Sequence, residues 1–238
     1  MLKTALVTGA SRGIGAAIAK QLTEEGYQVT GISRTPSPEL QQLGVSFLSA
    51  DLADTAAIPA LAEQILAQMG QIDVLVHNAA CSVQNLFQCV PAEQVRRLYA
   101  VNLTAVVELT RALLPSMLSR HSGSIVAVSS MWGETGASCE VDYSVTKGAV
   151  LAFVRALAKE VGPSGIRVNA VSPGTILTDM TAPLGKETLD ALAEETPLER
   201  LGTPEDVAGA VSLLCSPRLR YTTGNYIDVD GGFHIQRL

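Results

Sequence analysis

Tyr143 and Lys147 stand four residues apart in Asp142-Tyr143-Ser144-Val145-Thr146-Lys147, so on a helix both project from one face. A free phenol titrates near 10 and must come down by about three units, roughly 4 kcal/mol, to exchange a proton near neutrality. An ammonium about 4 Å away supplies of order 4 kcal/mol at an effective dielectric near 20, so one lysine is about sufficient. Ser130, in Ser129-Ser130-Met131-Trp132 at the carboxyl end of an apolar run, offers a hydroxyl to a reacting carbonyl. These three residue types share one chemistry, proton exchange at a carbonyl or alcohol oxygen. A Tyr and Lys pair at this spacing is also common on helix surfaces, so its meaning depends on what surrounds it.

A second constellation opens the chain. Thr8-Gly9-Ala10-Ser11-Arg12-Gly13-Ile14-Gly15 follows an apolar run and leads into the amphipathic stretch Ala16 to Glu25. Strand, glycine turn and helix in that order present unpaired N–H groups and a positive dipole end to a pyrophosphate. The spacing is G-x-x-x-G-x-G, and Gly9, Ser11, Arg12, Gly13, Ile14 and Gly15 are the candidate contacts. Arg34 ends the second apolar run, where an acidic residue would accept from a ribose 2′-OH. A cation there suits a 2′-phosphate, and Arg12 can close on the same group, which points to NADPH. Asp51, beside Leu52, is a candidate for the adenine amino group, and Asn78-Ala79-Ala80 for a small-residue wall beside the adenine ribose.

The elements that must position these residues alternate in period. Leu2–Thr8, Tyr27–Ser33, Val45–Ala50, Ile72–Val76, Ile125–Ser129, Ile166–Val171 and Asn225–Val229 read as short strands. Gly13–Glu25, Thr55–Met69, Pro91–Arg120, Asp142–Val161 and Pro204–Cys215 read as helices, with Gly26, Gly70 and Gly162 as C-caps. This predicts an α/β fold, a doubly wound Rossmann-type sheet of about seven parallel strands with helices on both faces. Pro115 and the interior Asn102 predict that Pro91–Arg120 is bent or split. Thr175–Pro197 reads as a mobile loop with a short helix, and with no linker in view the 238 residues are expected to form one domain.

With 17 basic and 23 acidic residues, a net charge of −6 leaves no global basic field for nucleic acid. Mean hydropathy is +0.26, yet no run reaches the roughly 18 uninterrupted apolar residues of a membrane span. The start of the chain has no room for a secretory signal, so a cytoplasmic location is expected. Cys81, Cys89, Cys139 and Cys215 show no pairing framework and read as reduced, mostly buried thiols. His77 reads as a structural strand-end residue, and the motifs suggest no metal site.

Together, the glycine turn, Asn78-Ala79, Asn102, Ser130, Tyr143-x-x-x-Lys147 and Pro173-Gly174 through Thr178 resemble a classical short-chain dehydrogenase/reductase over essentially the whole chain. The resemblance implies a nicotinamide-dependent oxidoreductase with Ser130, Tyr143 and Lys147 as catalytic triad. It implies that Asn102 holds a helix kink whose freed carbonyl orders a water leading to Lys147. Pro173, Gly174, Ile176 and Thr178 are then cofactor contacts, and Tyr143 and Lys147 touch the nicotinamide ribose. It further implies a homodimer or homotetramer. Ala80 stands where such proteins commonly have Gly, which adds a methyl beside the cofactor.

Leu198 to Val207 and Thr223 to Gly232 are similar to the 3-oxoacyl-acyl-carrier-protein reductase branch, implying reduction of a 3-oxoacyl thioester in fatty acid biosynthesis. An acidic carrier is expected to meet basic turns at the site mouth. The turns in question, Ser119 to Gly123 and Gly162 to Gly165, offer only Arg120 as a firm positive charge. Met131, Trp132, Cys139, Glu140, Ile176, Leu177 and the mobile stretch Thr178 to Pro197 are candidate pocket residues, with Trp132 equally suited to the core. Glu140 would disfavour an anion near the carbonyl. An NAD(P)-linked alcohol dehydrogenase and a non-catalytic dinucleotide sensor are the competing readings.

Overall fold

The computed structural model describes residues 2–235, and its strands form one seven-stranded, wholly parallel sheet in the order β3-β2-β1-β4-β5-β6-β7. The strands are β1 (Thr4–Thr8), β2 (Gln28–Ser33), β3 (Ser46–Ser49), β4 (Val74–His77), β5 (Gly123–Val128), β6 (Ile166–Pro173) and β7 (Tyr226–Val229). The central strands are continuous apolar runs because both faces are covered. On one face α1 (Gly13–Glu24) and α9 (Pro204–Cys215) pack together through Ile18, Leu22, Val207 and Val211. On the other, α3 (Ile58–Met69), α5 (Ala105–Leu118) and α7 (Val141–Val161) bury Ile65, Leu109, Leu113, Val150 and Val154. Short helices α2 (Pro38–Gln42) and α6 (Trp132–Thr135) and the longer α4 (Ala92–Tyr99) and α8 (Lys186–Glu195) complete the chain. The strand order reverses between β1 and β4, and there the carboxyl ends of the strands leave a crevice.

The stretch 91–120 is split: α4 and α5 are joined by a wide π-type turn at Ala100–Thr104, and Asn102 lies buried within it. Pro115 sits inside α5 without ending it. By length and composition alone Ala92–Leu118 could cross a membrane, but its Leu98, Leu109, Leu113 and Met117 are buried in the protein core.

Gly162 is not a left-handed cap. Its φ and ψ are −54° and −44°, and a tight turn over Gly162–Ser164 carries the chain on to Gly165, which takes φ +74°. A Cβ at Gly165 would lie 2.7 Å from the His121 carbonyl oxygen, so close approach also excludes other residues there. The cysteines are less buried than expected: Cys215 is buried, Cys81 and Cys139 are half-buried and Cys89 is exposed.

Candidate active site

The strand ends open on a cleft of about 850 Å³, and every residue proposed from the sequence to touch cofactor or reacting carbonyl lines it, Asn102 excepted. Of the wider pocket candidates, Met131, Trp132, Glu140 and Ile176 line it, whereas Cys139 and Leu177 do not. Leu177 is exposed, and its N–H donates to the Gly202 carbonyl at 2.9 Å.

The glycine turn is held from both sides. Gly9 and Gly13 have φ +66° and +53°, and the Gly9 N–H donates to the Ile32 carbonyl at 2.7 Å. Asn78 Nδ2 donates to the carbonyls of Thr8 (3.0 Å) and Gly9 (3.2 Å), while Thr8 Oγ1 accepts from the N–H groups of Asn78 and Ala79. Asn78, expected as part of a small-residue wall beside the adenine ribose, thus also braces the turn with its amide. A Cβ at Gly15 would overlap the Gly9 carbonyl and the Asn78 amide. Helix α1 begins with no side-chain cap and no acid in its first turn, so its first N–H groups stay available to a phosphate. Ala80 needs no left-handed backbone, which is why a methyl is tolerated there.

Arg12 and Arg34 are exposed at the rim, with Arg12 Nη1 3.2 Å from Asp179 Oδ2 across the cleft. Asp51 is not free. Arg97 of α4 grips its two oxygens at 3.2 and 3.0 Å, and the Ala53 N–H donates to Oδ1. The Ala53 bond foremost, then the Arg97 and Arg34 guanidiniums, hold this carboxyl below its ordinary value against the effect of burial. Arg97 escaped the sequence reading because its partner is distant in the chain.

Tyr143 and Lys147 lie on α7 facing Ser130, and the Tyr143 hydroxyl is hydrogen-bonded to Ser130. Gly133 lets α6 lie directly on α7, since a Cβ there would come within 2.8 Å of the Lys147 carbonyl carbon. Ser129 Oγ donates to the Lys147 carbonyl at 3.0 Å, fixing strand end to helix. Lys147 Nζ donates to the Val128 carbonyl at 2.8 Å and stands 5.6 Å from the centre of the Tyr143 ring.

The proton balance differs from the sequence estimate. Burial pushes the Tyr143 phenol above its ordinary value, the Ser130 bond pulls it partly back, and the Glu140 charge adds to the rise. Burial also lowers Lys147 to about 8. Desolvation disfavours both charged forms, so the neighbouring lysine does not by itself bring the phenol down toward neutrality. At neutral pH Tyr143 is a protonated donor.

Asn102 lies behind the triad. Its Oδ1 accepts from the Cys81 N–H (2.9 Å), and its Nδ2 donates to the Cys81 carbonyl (2.8 Å) and to Thr146 Oγ1 (3.3 Å). It thus ties the π-type turn to the exit of β4 and to the residue before Lys147. His77 is buried, shares a 2.7 Å hydrogen bond with Thr110 and is lowered to about 4 by burial, so it stays neutral. At the substrate end Trp132 lines the cleft and meets Phe233 edge-on at 6.0 Å, while Glu140 accepts from Ser82 Oγ at 2.7 Å.

A family model described as enoyl-(acyl carrier protein) reductase matches residues 9–234. This chain belongs to the short-chain dehydrogenase/reductase family. It is 41% identical to an uncharacterized oxidoreductase, YmfI, of Bacillus subtilis, over 98% of this chain and 100% of that protein. It is 37% identical to the 3-oxoacyl-[acyl-carrier-protein] reductase FabG of Staphylococcus aureus, over 99% of each. Among solved structures, ligand-free aldohexose dehydrogenase of Thermoplasma acidophilum superposes with a TM-score of 0.92 at 29% identity, over 99% of this chain and 95% of that one. Membership makes the protein an oxidoreductase that uses a nicotinamide dinucleotide.

The turns proposed for carrier docking are misplaced in the sequence reading. Residues 119–123 and 162–165 precede β5 and β6, at the amino ends of parallel strands, whereas the cleft opens at the carboxyl ends. Arg120 is engaged there with Asp73 Oδ1 at 2.7 Å and with the Ile72 carbonyl.

Proposed function

We propose that this protein reduces a ketone to a secondary alcohol with NADPH, the substrate being a 3-oxoacyl compound or a related carbonyl. The observation that carries this reading is the convergence of Ser130, Tyr143 and Lys147 on one cleft at the strand ends, with burial keeping the Tyr143 phenol in its proton-donating form. Arg34 and Arg12, with the uncapped start of α1, support a cofactor bearing an extra phosphate. Gly9, Ser11, Gly13, Ile14 and Gly15 would cradle the pyrophosphate, Asp51, Leu52, Asn78, Ala79 and Ala80 would flank the adenosine, and Pro173, Gly174, Ile176 and Thr178 would border the nicotinamide.

When bound, the cofactor supplies a hydride to the carbonyl carbon. Ser130 donates a hydrogen bond to the carbonyl oxygen as negative charge builds on it, and Tyr143 transfers its proton to that oxygen. Lys147, with its pKa near 8, remains largely charged at neutral pH and stabilises the tyrosinate left behind. Asn102 keeps α7 in register with the end of β4. We place the protein in the cytoplasm as a homodimer or homotetramer.

The test is NADPH oxidation with a panel of 3-oxo esters, thioesters and simple ketones, alongside cofactor affinity by fluorescence quenching. Arg34→Asp is expected to weaken NADPH about 10- to 100-fold, the worth of a charged phosphate contact, and NADH little. Equal weakening of both cofactors refutes the phosphate assignment, and tight NADPH binding with no ketone turned over refutes the reductase.

A further inference from the structure

We propose that the substrate is an uncharged carbonyl compound presented free of an acidic carrier, with Glu140 as the residue that rejects anions. This rests on the reductase reading above. Glu140 lines the cleft, accepts a 2.7 Å hydrogen bond from Ser82 Oγ and precedes α7 by one position, one helical turn from Tyr143. Its charge is felt at the phenol, where it opposes ionisation. Ser82 orients the carboxylate, and no cation forms an ion pair with it among the described residues. A substrate carboxylate or phosphate near the reacting carbonyl would therefore meet an uncompensated negative charge in a partly desolvated site.

The rim points the same way. Helix α8 closes the substrate end with Thr188 and Leu192 facing the cleft. Outward it exposes Glu187, Asp190, Glu194 and Glu195 against one lysine, Lys186, which is paired with Asp190. Asp179 adds a carboxylate at the rim. Of the rim cations, Arg12 and Arg97 are engaged with Asp179 and Asp51, and Arg34 stands on the dinucleotide arm, where it serves the cofactor, away from the α8 end. An acidic carrier approaching this mouth is repelled, and the basic turn that was expected to receive it lies at the other end of the strands.

The experiment compares kcat/KM for methyl acetoacetate with that for acetoacetate, and for the acetoacetyl thioester of N-acetylcysteamine with that of acyl carrier protein. Wild type is expected to prefer the uncharged ester and to gain nothing from the carrier. Glu140→Gln, which keeps an acceptor for Ser82, is expected to raise the acetoacetate to ester ratio at least about tenfold, the effect of one charge about 12 Å away at an effective dielectric near 20. The triple variant Glu187→Lys, Glu194→Lys, Glu195→Lys is expected to raise kcat/KM for the carrier thioester severalfold in low salt, leaving the small thioester unchanged. An unmoved anion ratio in Glu140→Gln, or a wild-type preference for the carrier thioester over the small one, overturns this inference and leaves the reductase standing. A wild type that reduces no ketone overturns both.

Discussion

Replacing Lys147 by Met should make the cofactor-free protein more stable while abolishing its activity. Lys147 is only 3% exposed, and burial lowers its pKa from 10.5 to about 8. At about 1.4 kcal/mol per pH unit, that difference means the charged lysine costs the fold about 3 kcal/mol at neutral pH. Met fills similar space without a charge, but leaves the Val128 carbonyl without its 2.8 Å donor, a loss of about 1 kcal/mol. The net expectation is a gain of about 2 kcal/mol, or about 4–8 °C in Tm for a chain of this size. The pH dependence is more telling. Because the folded-state pKa lies below the unfolded one, the wild-type penalty is complete below pH 8 and disappears as pH rises from 8 to 10.5. Denaturant unfolding of both proteins without cofactor should show the advantage of the variant at pH 7 and its near disappearance at pH 10. A variant less stable than wild type at pH 7, or equally advantaged at both pH values, refutes the argument that burial governs this lysine.

Two further substitutions probe the scaffold of the site. Asn102→Ala leaves the Cys81 N–H and carbonyl without their partners, and urea unfolding should register a loss of about 3 kcal/mol together with reduced turnover; a loss under about 1 kcal/mol would mean the bend supports itself. Gly15→Ala places a methyl on the Gly9 carbonyl and Asn78 amide, so dinucleotide affinity measured by fluorescence should fall about 100-fold or more, and unchanged affinity would contradict the tightness of this turn.

The glycine turn, the Tyr143 and Lys147 pair and the alternation of strand and helix were legible because each is local. A tight strand-to-helix turn demands glycine, a helix puts positions four apart on one face, and a doubly covered strand is apolar throughout. The bend around Asn102 was legible for the same reason, since a polar residue inside an apolar helix announces an irregularity. What stayed hidden depends on partners far apart in sequence. Nothing near Arg97 signals that it grips Asp51, nothing near Ser82 signals Glu140, and Asn78 turns out to brace a turn some 70 residues earlier. Gly162 and Gly165 are three apart, and only the approach of the His121 carbonyl decides which takes the left-handed backbone.

The sequence by itself determined the chemistry available, the order of strands and helices, and hence the sheet. The tertiary structure alone decided the electrostatics. Whether a lysine lowers a phenol depends on how much water both have lost, and here burial raises the phenol and lowers the lysine. Whether Arg120 meets a partner depends on which end of the strands it occupies, and that follows from all seven running parallel. Charge type is written in the residues, but its solvation and its neighbours exist only once the chain is folded.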